Sequence, residues 1–440
     1  MIKIGFLNCC HEDYVCEAAD RMAGAAVKAL EADGISVCRV KEPLISGGGA
    51  REAGRTLLKN DVQGVILFLG TWIECPVVMS ALREIEHLPL CLWGFPMFMN
   101  NGMLDSTGSY VSYTMFKGVL DRAGYRFKGI MGMPEDAGAV EAARAFASAA
   151  ACSERLKRAT IGLVGYTSMG IYTGTFDHLF LRVKIGPEVE HVDAYTVINR
   201  AESAGADEKE AFTAFVKSKA GIRNGISAVD LDKAAGIYAA LKELSDKKGF
   251  AAINVKCQYE FTKEYKMTPC VPLSVLADNG VTASCEGDML NTVSMLILHY
   301  LTGMPVTYGD CINSTDEGIY FSACGFMPFS FGEDGRREIW RFHEPGFNGL
   351  HCGFVMKPGR VTVLRLIEDR CDYHILYMTG EGLDSELRQG SMPAVSVRLD
   401  GRTGDFLKKC SGQHYAICYG DLSEKIEDLA RILNIPAIRV

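Results

Sequence analysis

Two acidic clusters, each directly behind an apolar run, are the residues of this chain best suited to chemistry. Lys256-Cys257-Gln258-Tyr259-Glu260-Phe261 follows Ala251-Ala252-Ile253-Asn254-Val255. Glu286-Gly287-Asp288 follows Val281-Thr282-Ala283-Ser284-Cys285. Such runs read as strands, and open α/β sheets present functional groups at the carboxyl ends of their strands. Two strand ends would then aim carboxylates into one crevice. Carboxylates gathered at a dry edge repel one another unless a proton or a cation intervenes, so the pattern predicts a shared proton or, preferably, a hard divalent metal. The competing reading is that Glu260 and Asp288 only cap the elements that follow them.

The elements that must position these groups are legible in outline. Apolar runs at residues 2–8, 35–40, 65–70, 89–95 and 127–131 alternate with helical patterns at 15–32, 75–86 and 113–123. That alternation predicts a parallel, doubly wound sheet with right-handed crossovers. An Ala-rich helix at 137–158 leads into a second alternating unit, with a strand at 160–164, helices at 207–219 and 230–248, and the strand that delivers Glu260. Beyond a helix at 289–301 the pattern becomes period-two, at 361–366, 373–378 and 395–399, between turns bearing Gly, Asp and Pro. A helix at 426–433 and a strand at 437–440 finish the chain. The expectation is two tandem Rossmann-like α/β domains, 1–158 and 159–278, followed by a mostly antiparallel β domain, 279–440, that completes the site.

Two further stretches are placed to meet a ligand. Gly165-Tyr166-Thr167-Ser168-Met169-Gly170 is a Gly- and hydroxyl-rich loop behind a strand, suited to hydrogen-bonding a polyol through Tyr166, Ser168 and Met169, or else a tight turn. Lacking a Gly-Lys-Ser/Thr ending, it is no P-loop. Trp72, in Gly70-Thr71-Trp72-Ile73-Glu74, stands behind the third strand, where its ring is either a face for sugar C–H bonds or a large core residue.

The pattern Lys-Cys-Gln-x-Glu at 256–260, then Cys270 and an apolar helix ending Leu276-Ala277-Asp278-Asn279-Gly280, then Cys-Glu-Gly-Asp at 285–288, resembles the L-fucose isomerase and L-arabinose isomerase superfamily. The resemblance continues in Pro358-Gly359 and Val361-Thr362-Val363, and in Gly412-Gln413-His414-Tyr415-Ala416 with Tyr419-Gly420-Asp421. It covers residues 250–440 well and the first half loosely. It implies a metal-dependent aldose-ketose isomerase with Glu260, Asp288 and His414 as ligands, and Glu260 and Asp288 as the acid/base pair. Glu286 is the rival acid, since in an extended segment it would share a face with Asp288. Gln258 and Gln413 would contact the sugar. The expected ion is manganese, with magnesium or cobalt as substitutes, because a nitrogen ligand beside carboxylates suits Mn(II) over Ca(II). The family further implies a homo-oligomer, a hexamer or trimer, in which Trp72 reaches a neighbouring subunit's site. Where relatives often read His-Cys-Gly, this chain has Ala323-Cys324-Gly325, which leaves room for a modified sugar, sulfonated or deoxygenated.

Composition limits the alternatives. The 440 residues carry 48% hydrophobic and 23% charged side chains, ordinary for a globular protein. A net charge of -8 and no Lys/Arg block argue against nucleic-acid binding. No run of roughly 18 apolar residues predicts a membrane span. The first strand is followed by Asn8-Cys9-Cys10-His11 rather than a Gly-x-Gly-x-x-Gly, which argues against a nicotinamide cofactor. Sixteen dispersed cysteines read as thiols of a reducing cytoplasm. The other function class that fits is a non-catalytic sugar-binding or regulatory protein on the same fold.

Overall fold

A computed structural model describes residues 1–440 except Ala323, residues 343–345 and Cys371; the substitution at Ala323 noted above therefore lies outside the described residues. Contacts divide the chain into two compact units, Met1–Glu154 with Glu424–Asn434, and Arg155–Ser423 with Ile435–Val440.

The first unit is built on a five-stranded parallel sheet. Its order is Ser36–Arg39, Lys3–Cys9, Val65–Leu69, Leu90–Gly94 and Phe127–Met131. Because side chains alternate along a strand, Phe6, Phe68 and Trp93 enter one apolar core and Leu7, Leu67 and Leu92 the other. A sheet covered on both faces needs near-continuous apolar strands, and these are. The helix Gly47–Lys59 is one the sequence hides, since it opens on three glycines that read as a loop. Ser46 starts it by accepting a hydrogen bond from the Gly49 amide, and Ala50, Ala53 and Leu57 bury its inner face.

The second unit holds a four-stranded parallel sheet in the order Thr282–Cys285, Ala252–Val255, Thr160–Val164 and Glu188–Val192. Its long helix Ala228–Lys248 begins in a reciprocal cap between Ser227 and Asp230 and ends at Gly249, whose φ of 67° stops it. Farther along, six strands pair in a ring: Gly359–Asp369, His414–Tyr419, Thr307–Thr315, Gly318–Ser322, Val395–Leu399 and Asp372–Leu383, the last returning to the first. Every pairing in the ring is antiparallel, and Ala437–Arg439 adds to it in parallel. The architecture is thus α/β, with two Rossmann-like units and an antiparallel β barrel.

Candidate active site

Three adjacent strand ends and three barrel strands assemble the site, all within the second unit. Behind Thr282–Cys285 the backbone turns left-handed at Glu286 (φ 67°) and Gly287 (φ 70°). A Cβ at Gly287 would lie 2.4 Å from the Tyr166 carbonyl oxygen, so only glycine lets the 166–168 loop cross here. That loop is then tied down: the Ser168 amide donates to the Glu286 carbonyl at 2.9 Å and the Thr167 hydroxyl to the Gly287 carbonyl at 3.2 Å. Fully buried Asn254, one strand over, accepts from the Gly287 amide at 2.7 Å and donates to the Thr292 hydroxyl at 2.8 Å.

Asp288 both caps and takes part in the site. Its Oδ1 accepts from the Asn291 amide at 2.9 Å and so starts the helix Met289–Thr302. Its Oδ2 lies 2.9 Å from His414 Nδ1 and 3.0 Å from an Arg365 guanidinium nitrogen. The same arginine donates to the His414 carbonyl at 2.7 Å and the Thr173 carbonyl at 2.8 Å. Space for these groups depends on Gly174 and Gly412, where a Cβ would come within 2.8 Å of Asp288 and 2.5 Å of Arg365.

The imidazole's other nitrogen faces two more carboxylates. His414 Nε2 is 3.2 Å from Glu286 Oε2 and 3.4 Å from Asp310 Oδ1. Asp310 arrives there because it pairs with His414 across the antiparallel strands. Burial works against charge on His414, but Asp288 and Glu286 outweigh it and raise its pKa to about 10. Burial pushes Asp310 up to about 6, with His414 partly offsetting and Glu286 and Asp288 adding to the rise. Asp288 stays below the usual carboxylate range despite full burial, because Arg365 and His414 stand beside it. The clustered acids are faced by the His414 imidazole and one guanidinium, that of Arg365.

The sequence expectations fall on both sides of this centre. Asp288 and His414 are brought together. Glu260 is joined instead to Lys256, whose Nζ lies 2.6 Å from its Oε2, and it opens a short π-helix, Glu260–Tyr265. Gln258 donates to Glu286 Oε1 at 3.3 Å and accepts from the Ser168 hydroxyl. Tyr166 lies against Lys256, 3.8 Å from ring centroid to Nζ. Met169 is exposed at a φ of 48°. Gln413 contributes a side-chain hydrogen bond to Asp310. Trp72 belongs to the first unit, where it packs on the rings of His11 and Tyr14. Asp310 and Arg365 were missed. Arg365 had a signal, a charge inside the apolar run 361–366, which must be paired if buried.

Could these residues hold a divalent ion? No group of three or more His, Cys, Asp and Glu among the described residues forms a ready-made ligand cluster. The donor chemistry fits nonetheless. His414 Nε2 is buried without a hydrogen-bond partner. Its distances to the two carboxylates are near the roughly 3 Å that separates neighbouring ligands about 2.1 Å from an octahedral ion.

No family model matches the chain. The chain is similar to sulfoquinovose isomerases. It is 23% identical over 328 residues to that of Alkalicoccus urumqiensis, covering 73% of this chain and 74% of the relative. It is 24% identical over 372 residues to that of Clostridium sp. (strain MSTE9), covering 83% and 80%. A 29% match to that of Priestia megaterium covers 42% of this chain and 43% of the relative. Among solved structures, a periplasmic arabinose-binding protein from Shewanella sp. ANA-3 covers 68% of this chain and 86% of its own at 14% identity. Its TM-score of 0.19 is too low to support any conclusion.

Proposed function

We propose that the protein is a metal-dependent aldose-ketose isomerase acting on a sulfonated hexose of the sulfoquinovose kind, and that Glu286, Asp310 and His414 hold the ion. The observation that carries the ligand set is the convergence of Glu286 Oε2 and Asp310 Oδ1 on His414 Nε2. That the reaction is a sugar isomerisation rests on the likeness to sulfoquinovose isomerases, which also favours an enzyme over a non-catalytic sugar-binding protein.

A bound Mn(II), with Mg(II) or Co(II) as substitutes, would polarise the sugar carbonyl and lower the cost of charge developing between C1 and C2. The chain's own residues do the rest. Asp288 Oδ2 fixes the imidazole through Nδ1 and so points Nε2 at the carboxylates, the arrangement by which outer partners orient metal-binding histidines. Arg365 keeps Asp288 ionised and buried. Gln258 aims Glu286 by donating to its Oε1. Asp310 presents Oδ1 to the same point, 3.4 Å from His414 Nε2, as the second carboxylate ligand. Asp288, with both oxygens engaged, is a positioning residue.

Glu260 as a ligand is the second reading. One observation favours it: its Oε2 is buried, and its contact there is an ion pair with Lys256 rather than a hydrogen bond. Equilibrium dialysis of Mn(II) with Glu286→Gln, Asp310→Asn and Glu260→Gln separates the two readings. Loss in the first two variants and retention in the third is expected, and the reverse would move the ion to Glu260. Ketose formation from sulfoquinovose, with Mn(II) and with chelator, tests the reaction.

The protein is further proposed to act as a cytoplasmic homo-oligomer. No helix among the described residues is long and apolar enough to cross a membrane, and every described cysteine is a free thiol. Met97, Met99, Met103, Leu104, Tyr110 and Val111 are at least half exposed in the first unit, a cluster that contact with another subunit would cover.

A further inference from the structure

Outside the carboxylate centre, two exposed histidines of the second unit face each other. His178 Nε2 lies 2.9 Å from His191 Nε2. The fold fixes where both stand. His178 opens the helix His178–Lys184, whose start is set by the Asp177 carboxylate accepting from the Phe180 amide at 2.7 Å. His191 lies on Glu188–Val192, an edge strand of the parallel sheet, and its Nδ1 is 3.4 Å from the Gly165 carbonyl oxygen. The Phe176 ring packs on His178, with centroids 4.5 Å apart.

Two neutral imidazoles in such contact share one proton, one ring donating through its Nε2–H and the other accepting. The carbonyl beside His191 Nδ1 makes that nitrogen the protonated one, so His191 accepts at Nε2 and His178 donates. An imidazole whose far nitrogen donates to a backbone carbonyl and whose near nitrogen carries a lone pair is held as metal-binding histidines are held. A divalent ion can therefore take the place of the shared proton. Nitrogens about 2.1 Å from a tetrahedral zinc ion are about 3.3 Å apart, so the exposed rings need part only slightly.

The place of the pair gives such an ion a task. Residues 172–178 end at His178 and wall the centre: the Thr173 carbonyl accepts from Arg365 at 2.8 Å, and a Cβ at Gly174 would come within 2.8 Å of Asp288. Gly165, beside His191, opens the loop that carries Ser168. We propose that His178 and His191 form a second metal site, for a divalent ion of the zinc, copper and nickel class, which fastens residues 172–178 to the edge of the sheet. The two imidazoles supply the donors that such ions favour, with water in the remaining positions. The site is independent of the isomerase reading, because it uses none of the residues of the carboxylate centre.

Zinc calorimetry of the wild type, His178→Gln and His191→Gln tests the pair. Both side chains are exposed, so the variants should fold. Each variant should bind one equivalent of Zn(II) fewer than the wild type and bind Mn(II) with unchanged affinity. Urea unfolding supplies the second measurement: a saturating excess of Zn(II) should raise the wild-type midpoint more than that of either variant, since a ligand of the folded state stabilises it. Equal zinc stoichiometry in all three proteins, or a loss in only one variant, would overturn the site. A wild-type midpoint that zinc raises no further than it raises those of the variants would overturn the fastening. Neither measurement reads turnover, so failure of the isomerase reading would leave both results interpretable.

Discussion

His414 Nδ1 is 2.9 Å from Asp288 Oδ2, so the imidazole's remaining nitrogen is committed to face Glu286 and Asp310. Removing the charge of Asp288 should loosen that aim without deleting a ligand. Asp288→Asn is expected to weaken Mn(II) binding about 10- to 100-fold, the usual cost of losing an outer-shell partner. It should also destabilise the fold by about 3–5 kcal/mol, because Arg365 would remain buried without its counter-charge. Titration of Mn(II) and urea unfolding measure the two effects. A fully stable variant would mean that Arg365 finds another partner.

Gly287→Ala should leave a folded but inactive protein. The added methyl would collide with the Tyr166 carbonyl at a φ of 70°, so the 166–168 loop must lift away from Glu286. Loss of turnover with a retained cooperative unfolding transition is the expected result, and wild-type turnover would show that the loop is not needed.

Asp310 carries a signed pH dependence. Its folded pKa, about 6, lies above the usual 3.8, so the folded protein binds its proton more tightly than the unfolded chain does. Its contribution to stability is present below pH 4 and is lost as pH rises to 6, by about 3 kcal/mol. His414, raised to about 10, likewise stabilises below pH 6.5 and ceases to do so as pH rises through 10. In chelator, Asp310→Asn should therefore lack the fall between pH 4 and 6 and be more stable than the wild type at pH 7. Urea unfolding across pH reads the difference, and parallel curves for the two proteins would refute the assignment.

In the first unit, Lys128 Nζ contacts Asp428 at 2.7 Å and Glu424 at 2.6 Å, with the Lys128 and Asp428 side chains only 9% and 2% exposed. Breaking such a pair from one side is costly. Lys128→Met should destabilise the protein by up to about 3 kcal/mol, less than a lone buried pair would cost because the part-exposed Arg431 still pairs with Asp428, and adding Asp428→Leu should restore much of the loss. Thermal unfolding of the single and double variants decides it.

How much of this was legible depends on how local the signal is. The parallel units were readable because their strands are unbroken apolar runs, and Asp288 was readable because a cap and a strand end coincide there. The relation of Glu286 to Asp288 was not. Neighbours two apart share a face only in extended backbone, whereas Glu286 and Gly287 are left-handed. Asp310 could not be found from its own neighbourhood, since nothing in Tyr308-Gly309-Asp310 marks it until the barrel pairs it with His414. Arg365 could have been found by asking what a charge does inside an apolar strand. Nothing in the sequence says that Lys256, four residues before Glu260, turns back to it.

The return of residues Glu424–Asn434 to the first unit has a bearing on how the protein is made. Ile432 packs against the core that contains Phe6 and Phe68, and Asp428 supplies the counter-charge to Lys128. During synthesis the amino-terminal sheet would leave the ribosome long before either partner exists. It would wait through the translation of nearly three hundred residues with a buried lysine uncompensated and one face open. Both units are thus sealed only by the last residues made: Glu424–Asn434 closes the first, and Ala437–Arg439 then adds the final strand to the second.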